Sequence, residues 1–370
     1  MRVQIVDPAA FTPPYDHALS GALSRAGAEV ELVTAEFPYG PVPREAGYEV
    51  NELFYRRSSR TGAGASRRRR LLRAAEHLPG MLRHRRHARG ADVVHYQWLP
   101  VPELDLRLLA DVHPRLFTMH WRFPDPGSRI AGTLRRLLAR MDAVVAHSEH
   151  GKGRLAADYG VPPERVEVIP HGAFDYLTRQ RDERPLPDEL AAVEGPVVLA
   201  FGLVRPYKGT DLLLEAFARI EGAELWVVGM PRMPMGPLRE LAARAPGRVR
   251  FVERFVTDPE IPAFMRRADV VTLPYRNIEQ SGVLYTALAF GRPLLLSDVG
   301  GFPEIGELGA ARVVPRGDVD ALAAALRGLL DDPRERDRLA AGALAAAEGR
   351  YSWGEIGHRT VDLYRRLLPG

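Results

Sequence analysis

Apolar residues in this chain gather in short runs separated by longer stretches where they recur at helical spacing. The runs predict buried strands, and the periodic stretches predict helices covering them. In the first half, strands are expected at Val3–Val6, Val30–Thr34, Val93–Tyr96, Leu116–His120, Val144–His147 and Val166–Ile169. Helices are expected near Ala18–Ala26, Ser66–Arg89, Leu104–Asp111, Ile130–Arg140 and Lys152–Tyr159. From His171 to Pro196 the rhythm lapses into Gly, Pro and charge, the composition of a connector. It then restarts, with strands at Val197–Phe201, Glu224–Val228, Arg248–Val252, Val270–Leu273, Pro293–Ser297 and Ala311–Val314. The helices here are Thr210–Ile220, Gly236–Arg244, Asp258–Arg267, Ser281–Phe290, Val319–Leu330 and Arg334–Glu348. Strand–helix alternation on this scale predicts an α/β protein with two doubly wound, Rossmann-like domains. Such sheets bind ligands beyond the carboxyl ends of their strands, so two facing each other would form a cleft.

At 370 residues the chain is long enough for two or three cores, and its 46 % hydrophobic and 26 % charged residues are those of an ordinary globular protein. No run approaches the ~20 apolar residues of a membrane span, and MRVQIVDPAAF lacks the basic start and long apolar stretch of a secretory leader. The absence of Cys removes thiol chemistry and cysteine metal sites and fits a reducing, cytoplasmic setting. The net charge of +4 is unevenly spread: from Arg56 to Arg89 there are twelve Arg and three His against a single acid, Glu76. In that stretch Leu71, Leu72, Ala75, Leu78, Met81 and Leu82 fall at near-helical spacing opposite Arg. Such a helix either lies on anionic lipid or covers a core while turning its Arg to water. No aromatic platform or recognition motif accompanies the charge, so nucleic acid is not expected as a partner. Only Lys152 and Lys208 among the 51 basic residues are lysines.

Lys208 lies in AFGLVRPYKGTDLLLEAF, residues 200–217, where a strand runs through Gly202, Arg205, Lys208 and Gly209 into an amphipathic helix. Two cations on a Gly-flanked loop beside a helix N-terminus suit a diphosphate; the bland alternative is a solvated loop. In PYRNIEQSGVLYTALAFGRPLLLSDVGGFPE, residues 274–304, Glu279, Gln280, Ser281 and Gly282 form a polar turn before a buried helix that begins near Val283. Its first amides face whatever occupies the turn, although Ser281 could equally be a plain N-cap.

The order FG-x-x-R-x-x-KG, a VVG strand, ADVVTLPY, SGVLYTALAFGRPLL and SDVGGFPE resembles the donor half of a GT-B glycosyltransferase of the retaining family four. HSEHGKGRLAADYGVPPERVEVIPHG resembles the family's segment before the linker, and YSWGEIGHRTVDLYRRLL its final helix. The likeness is strong over about residues 140–368 and weaker before. It implies an acceptor-binding domain over 1–175 with the 352–370 helix packed back on it, a linker at 176–196 and a nucleotide-sugar domain over 197–351. It further implies transfer of a hexose from a UDP- or GDP-sugar with retention, no metal or other cofactor, and a small-molecule, glycan or lipid acceptor. The donor site would comprise Gly202, Arg205, Lys208, Gly229, Val256, Glu279, Gln280, Ser281, Gly282 and Val283, with Arg205, Lys208 and Glu279 acting in catalysis. The chain departs from the family in placing Leu203 where its Arg commonly stands. It also has Ile278 and Thr286 where many members carry two Glu eight apart; Glu279 falls one residue late, and the position eight beyond it is Ala287.

In the first half, His120 ends its strand facing the expected cleft, where a neutral imidazole can accept a hydrogen bond from a sugar hydroxyl; a strand-end His can also simply pack. It resembles the family's active-site His, followed here by Trp121 in place of Asp. Trp121, with Tyr15, Asp16 and His17, is the expected acceptor side; His147, His150 and His171 are weaker candidates. Gly151-Lys152-Gly153-Arg154-Leu155-Ala156 satisfies a dinucleotide fingerprint but follows a late strand, which weighs against a nicotinamide-dependent oxidoreductase. Asp318-Val319-Asp320 mimics a metal-binding pair and reads better as a helix cap; no His, Asp or Glu cluster has metal spacing. A rival from another class is a non-catalytic sugar- or nucleotide-binding protein on the same fold.

Overall fold

The computed structural model describes residues 1–38, 40, 42, 44–59, 66–120 and 123–369. The chain divides into two compact units, Met1–His171 with Trp353–Gly370, and Gly172–Ser352.

In the first unit β1 (Arg2–Asp7), α1 (Pro13–Arg25), β2 (Glu29–Ala35), β3 (Glu49–Phe54), α2 (Arg56–Ser59), α3 (Arg67–His87), β4 (Val93–Tyr96), α4 (Pro102–Asp105), β5 (Arg115–Thr118), α5 (Arg129–Leu138), β6 (Ala143–Ala146), α6 (Glu149–Tyr159) and β7 (Val166–Val168) follow in order. All strands are parallel, in the spatial order β3-β2-β1-β4-β5-β6-β7. The inner strands β4, β5 and β6 are buried at every position because helices cover both faces, and their apolar runs follow from that. β3 is an edge strand, EVNELF, exposed or half-buried over its first four residues. Its charged alternation is why no strand is expected there from apolar runs.

In the second unit come α7 (Asp188–Ala191), β8 (Val197–Phe201), α8 (Thr210–Phe217), β9 (Glu224–Val228), α9 (Gly236–Ala242), β10 (Arg248–Val252), α10 (Ile261–Arg267), β11 (Val270–Leu273), α11 (Gly282–Ala289), β12 (Leu294–Ser297), α12 (Phe302–Glu307), β13 (Ala311–Val314), α13 (Val319–Asp331) and α14 (Pro333–Glu348). The sheet order is β10-β9-β8-β11-β12-β13, again all parallel. The last helix, α15 (Trp353–Leu367), belongs to the first unit and buries Trp353, Ile356, Val361 and Tyr364 there.

Two expectations change, and a third reading, of the dinucleotide-like motif as a decoy, agrees with the structure. The segment 176–196, read as a linker, is part of the second unit. Leu177 and Leu190 are each 2 % exposed in its core, and Tyr176 Oη donates to Asp258 Oδ2 at 3.0 Å. Its Gly/Pro/charge composition marks an irregular backbone, but a few spaced apolar residues suffice to dock it. The basic helix α3 buries Arg69, His77, Gly80 and Met81, together with His84, and leaves Leu71 (64 %) and Leu78 (44 %) outward. Its inward face is polar because Tyr55 Oη and Asp105 Oδ1 hold His77 through its two ring nitrogens, at 2.5 and 2.6 Å. The glycines of the dinucleotide-like motif, Gly151 and Gly153, lie within α6, capped by Ser148, where no phosphate loop forms.

Candidate functional site

In each sheet the strand order reverses beside the first strand, and ligands of doubly wound sheets bind at such points. In the second unit the reversal lies between β8 and β11, whose carboxyl ends open into the loops at 202–209 and 274–281. Here Gly202 is left-handed (φ 91°), and a Cβ on it would sit 2.9 Å from Lys208 Nζ and 3.0 Å from Val283 Cγ2. Gly229, after β9, has φ 143°, and its Cβ would stand 2.2 Å from the carbonyl oxygen of Gly202. Four expected donor residues, Gly202, Lys208, Gly229 and Val283, are therefore brought together by backbone approach that only glycine permits at two positions.

Lys208 Nζ donates to the Phe201 carbonyl at 3.3 Å and lies 5.3 Å from the ring centroid of buried Tyr275. Burial, followed by the neighbouring Arg205 charge, pushes its pKa down to about 8. Arg205 is exposed at the start of the same turn. Among the described residues neither cation pairs with a carboxylate, so the loop presents positive charge with no internal anion. Arg276, which sequence reasoning passed over within PYRN, holds this loop in place. It forks onto Asp211 at 2.7 and 2.8 Å, donates to the Pro206 carbonyl at 3.1 Å, and its backbone N–H donates to the Tyr207 carbonyl. Partial burial works against ionisation of Asp211, but the Arg276 fork holds it below the usual carboxylate range.

The turn before α11 is assembled differently from a plain cap. Ser281 occupies the N-cap position, but its hydroxyl makes no cap bond; it lies 3.5 Å from Tyr275 Oη. Gln280 accepts from Tyr285 Oη. Gly282 is exposed and Val283 half-buried at the first turn of α11, and Glu279 is half-buried beside them. Val256 is 7 % exposed and packs in the core of this unit. Thr286, at a place where many relatives of the resembling family carry Glu, spends its hydroxyl on the Gly282 carbonyl at 2.9 Å. Glu304 sits in the first turn of α12 within 3.3 Å of Arg350 Nη2.

In the first unit the reversal lies between β1 and β4. Asp7, at the end of β1, accepts from the amides of Ala9, Phe11 and Thr12 at 3.1, 2.5 and 3.1 Å. The amide nest that could hold a ligand anion is thus filled by a carboxylate of the chain itself. The expected acceptor residues Tyr15, Asp16 and His17 are only 2, 1 and 5 % exposed, because the start of α1 turns them inward. Burial and the Asp7 charge push Asp16 well above the usual carboxylate range. Burial and Arg44 push His17 down to about 4, with Nδ1 2.6 Å from Tyr48 Oη. Trp121 lies outside the described residues. His120 is half-buried, its Nε2 2.9 Å from Gln97 Oε1 and its Nδ1 3.2 Å from His147 Nε2. The ring of Trp98 lies nearly parallel to it at 5.5 Å, and Phe11, 54 % exposed, meets Trp98 edge-on. Phe11 and Trp98 escaped sequence reasoning because each is a single aromatic in a loop.

Asp318 caps α13, accepting from the Ala321 amide at 2.9 Å, and Asp320 pairs with Arg219. Among the described residues no group of three His, Asp or Glu is placed to hold a metal ion, and no helix is long and apolar enough to cross a membrane.

Two parallel Rossmann-like sheets, with a bare cation pair at the reversal point of the second, define an α/β protein of the GT-B fold. Residues 16–173 match the family model described as Glycosyltransferase Family 4, and residues 195–332 the one described as Glycosyl transferases group 1. The chain thus carries a Glycosyltransferase Family 4 domain followed by a Glycosyl transferases group 1 domain. It is 32 % identical over 260 residues to D-inositol 3-phosphate glycosyltransferase 1 of Catenulispora acidiphila, covering 66 % of this chain and 62 % of that protein. It is 29 % identical over 244 residues to an MMP alpha-(1->4)-mannosyltransferase of Mycolicibacterium hassiacum, covering 63 % and 56 %. The chain thus spans less than two thirds of these relatives' length. Its fold resembles the sucrose-phosphate synthase of Thermosynechococcus elongatus, with TM-score 0.74 at 20 % identity over 99 % of both chains. It also resembles Anabaena HepE, solved in complex with UDP-glucose, with TM-score 0.69 at 18 % identity over 99 % of this chain and 100 % of that one.

Proposed function

We propose that the protein is a glycosyltransferase that moves a hexose from a UDP- or GDP-sugar to an acceptor hydroxyl, with retention of configuration and without a metal ion. The observation that carries this reading is Lys208: a half-buried cation beside Arg205, with no carboxylate partner among the described residues, is placed to meet an anionic ligand. A donor diphosphate meets that need, with Lys208, Arg205 and the first amides of α11 taking up charge on the leaving group. Relatives named as D-inositol 3-phosphate glycosyltransferases support glycosyl transfer, and a neighbour solved with UDP-glucose supports the class of donor. Asp318 serving as a helix cap supports metal independence. The acceptor side is assigned to the first unit, around His120, Trp98 and Phe11.

The test is a panel of nucleotide sugars, read by thermal shift and then by product formation. One UDP- or GDP-hexose should stabilise the protein and be turned over, and turnover should survive excess chelator. Activity that stops with chelator and returns with Mn²⁺ or Mg²⁺ would overturn the metal-free reading. Stabilisation by a donor with neither transfer nor hydrolysis would favour the binding-protein reading, which Ile278 and Thr286 in the places of the family's Glu pair support.

We also propose peripheral contact with an anionic membrane surface through residues 66–89, from the cytoplasmic side. Leu71 and Leu78 are exposed on α3 among exposed Arg67, Arg68 and Arg70, a combination that suits insertion between anionic headgroups. The protein should sediment with phosphatidylglycerol vesicles at low salt and be released as salt screens the Arg charges. The double variant Leu71→Asp, Leu78→Asp should lose most of this binding while keeping its melting temperature. Wild-type protein that stays in the supernatant at low salt removes the contact.

A further inference from the structure

The first unit buries more imidazole than the proposed transfer uses. His120, His147 and His171 all pack their rings against Tyr15, at 4.7, 5.6 and 4.8 Å between centroids. His147 is 4 % exposed and Gln97 fully buried, so their hydrogen bonds can be assigned as a closed set.

His147 Nδ1 lies 2.9 Å from the carbonyl oxygen of Ile169. A carbonyl only accepts, so Nδ1 carries the proton and Nε2 offers its lone pair. That lone pair faces His120 Nδ1 at 3.2 Å. His120 Nδ1 must therefore be the donor, which leaves His120 Nε2 bare. The group opposite Nε2, at 2.9 Å, is the Gln97 side-chain amide, and a bare nitrogen there requires the NH₂ end. With the oxygen end toward His120, Gln97 Nε2 is a buried donor without a partner among the described residues. Turning the amide over exchanges that orphaned donor for an orphaned acceptor, the less costly of the two. The opposite assignment, His120 Nε2–H to Gln97, would set two lone pairs against each other between the histidines. Relieving that clash with an extra proton is opposed by burial and the neighbouring imidazoles, which push His120 well below the usual histidine range. Burial likewise pushes His147 down to about 4.

We propose that His147 sets His120: by accepting from Nδ1 it fixes His120 in the Nδ1–H tautomer, with Gln97 donating to Nε2. Both ring nitrogens are then committed within the chain. His120 is a positioning residue, the plate against which Trp98 lies, and has no lone pair left to serve as a base toward an acceptor. Only this last role rests on the transferase reading.

Ring ¹⁵N NMR of the unliganded protein tests the tautomer directly. His120 Nδ1 should appear in the protonated-nitrogen region and Nε2 in the bare-nitrogen region, and the reverse overturns the proposal. In His147→Phe, which removes the acceptor, His120 should revert to Nε2–H. In His147→Gln, whose amide oxygen can take the place of Nε2, it should keep Nδ1–H. An unchanged His120 tautomer in a folded His147→Phe protein also overturns it; if that variant fails to fold, the wild-type assignment decides. In transfer assays His147→Phe should lower kcat while leaving the donor KM near wild type. If no donor is turned over at all, the proposed function fails while the ring assignment still stands or falls by NMR.

Discussion

Lys208→Ala is expected to lower kcat/KM for the nucleotide sugar by roughly ten- to a hundredfold, as expected for the loss of a hydrogen bond to a charged group, about 1.5–3 kcal/mol. Its melting temperature should not fall in proportion, because the residue removed is a desolvated cation with no carboxylate partner among the described residues. Lys208→Arg should rescue poorly, since a planar fork does not fit where a Cβ on Gly202 would already touch Nζ. The same site predicts a pH dependence. Burial and Arg205 lower the folded-state pKa of Lys208 from 10.5 to about 8. The unfolded chain therefore holds the extra proton between those values, and stability from this group rises with pH across that window. Donor affinity should move the opposite way, because the diphosphate binds the ammonium form: constant below about pH 8 and weakening progressively above it. Donor binding that stays level to pH 10 in wild type, or matches wild type in Lys208→Ala, removes the clamp from the mechanism.

The fold was legible wherever strands are buried on both faces. Central strands such as β4, β6 and β12 consist of apolar runs because helices cover them on both sides, and the runs survive any choice of surface residue. β3 was not legible, since an edge strand answers to water on one side and its EVNELF carries the charge of a loop. The buried face of α3 was misread for a related reason. Hydrophobicity marks Leu71 and Leu78, but the face turned inward is defined by hydrogen bonds of His77 to Tyr55 and Asp105, and a periodicity of apolar residues cannot register those.

Within the loop proposed to hold the donor, the glycines and cations stand out because the chemistry proposed for them depends on residue type. Arg276 did not, because its importance lies in reaching Asp211 and two carbonyls of the loop at 206–211, partners some 65 to 70 positions away. The proposed acceptor side was least legible. Tyr15, Asp16 and His17 look equally available in sequence, yet all three have little exposure, Tyr15 packing in the core and Asp16 and His17 lining a cavity with Thr34 and Arg44. The surface there is built from Phe11 and Trp98, isolated aromatics that no spacing distinguishes from core residues.

Gly209→Ala should be among the most damaging single substitutions in the second unit. Gly209 ends the turn that carries Lys208 and precedes α8, with φ 65°. A Cβ there would stand 2.1 Å from the Pro274 carbonyl oxygen, at the end of β11. Neither partner can yield by turning a side chain, because both contacts are backbone. Two costs add: the left-handed conformation, on the order of 1 kcal/mol for a non-glycine residue, and overpacking against a rigid strand end, typically about 1–3 kcal/mol. Gly222→Ala isolates the first cost, since it has φ 70° with nothing within 4 Å of the added carbon. Chemical denaturation should place Gly222→Ala about 1 kcal/mol below wild type and Gly209→Ala on the order of 2–4 kcal/mol below. Only Gly209→Ala should also lose donor binding, because relieving the clash separates the Lys208 turn from the end of β11 against which it is set. Equal destabilisation of the two variants, or normal donor affinity in a folded Gly209→Ala protein, would show that the approach of these two loops does not shape the diphosphate site.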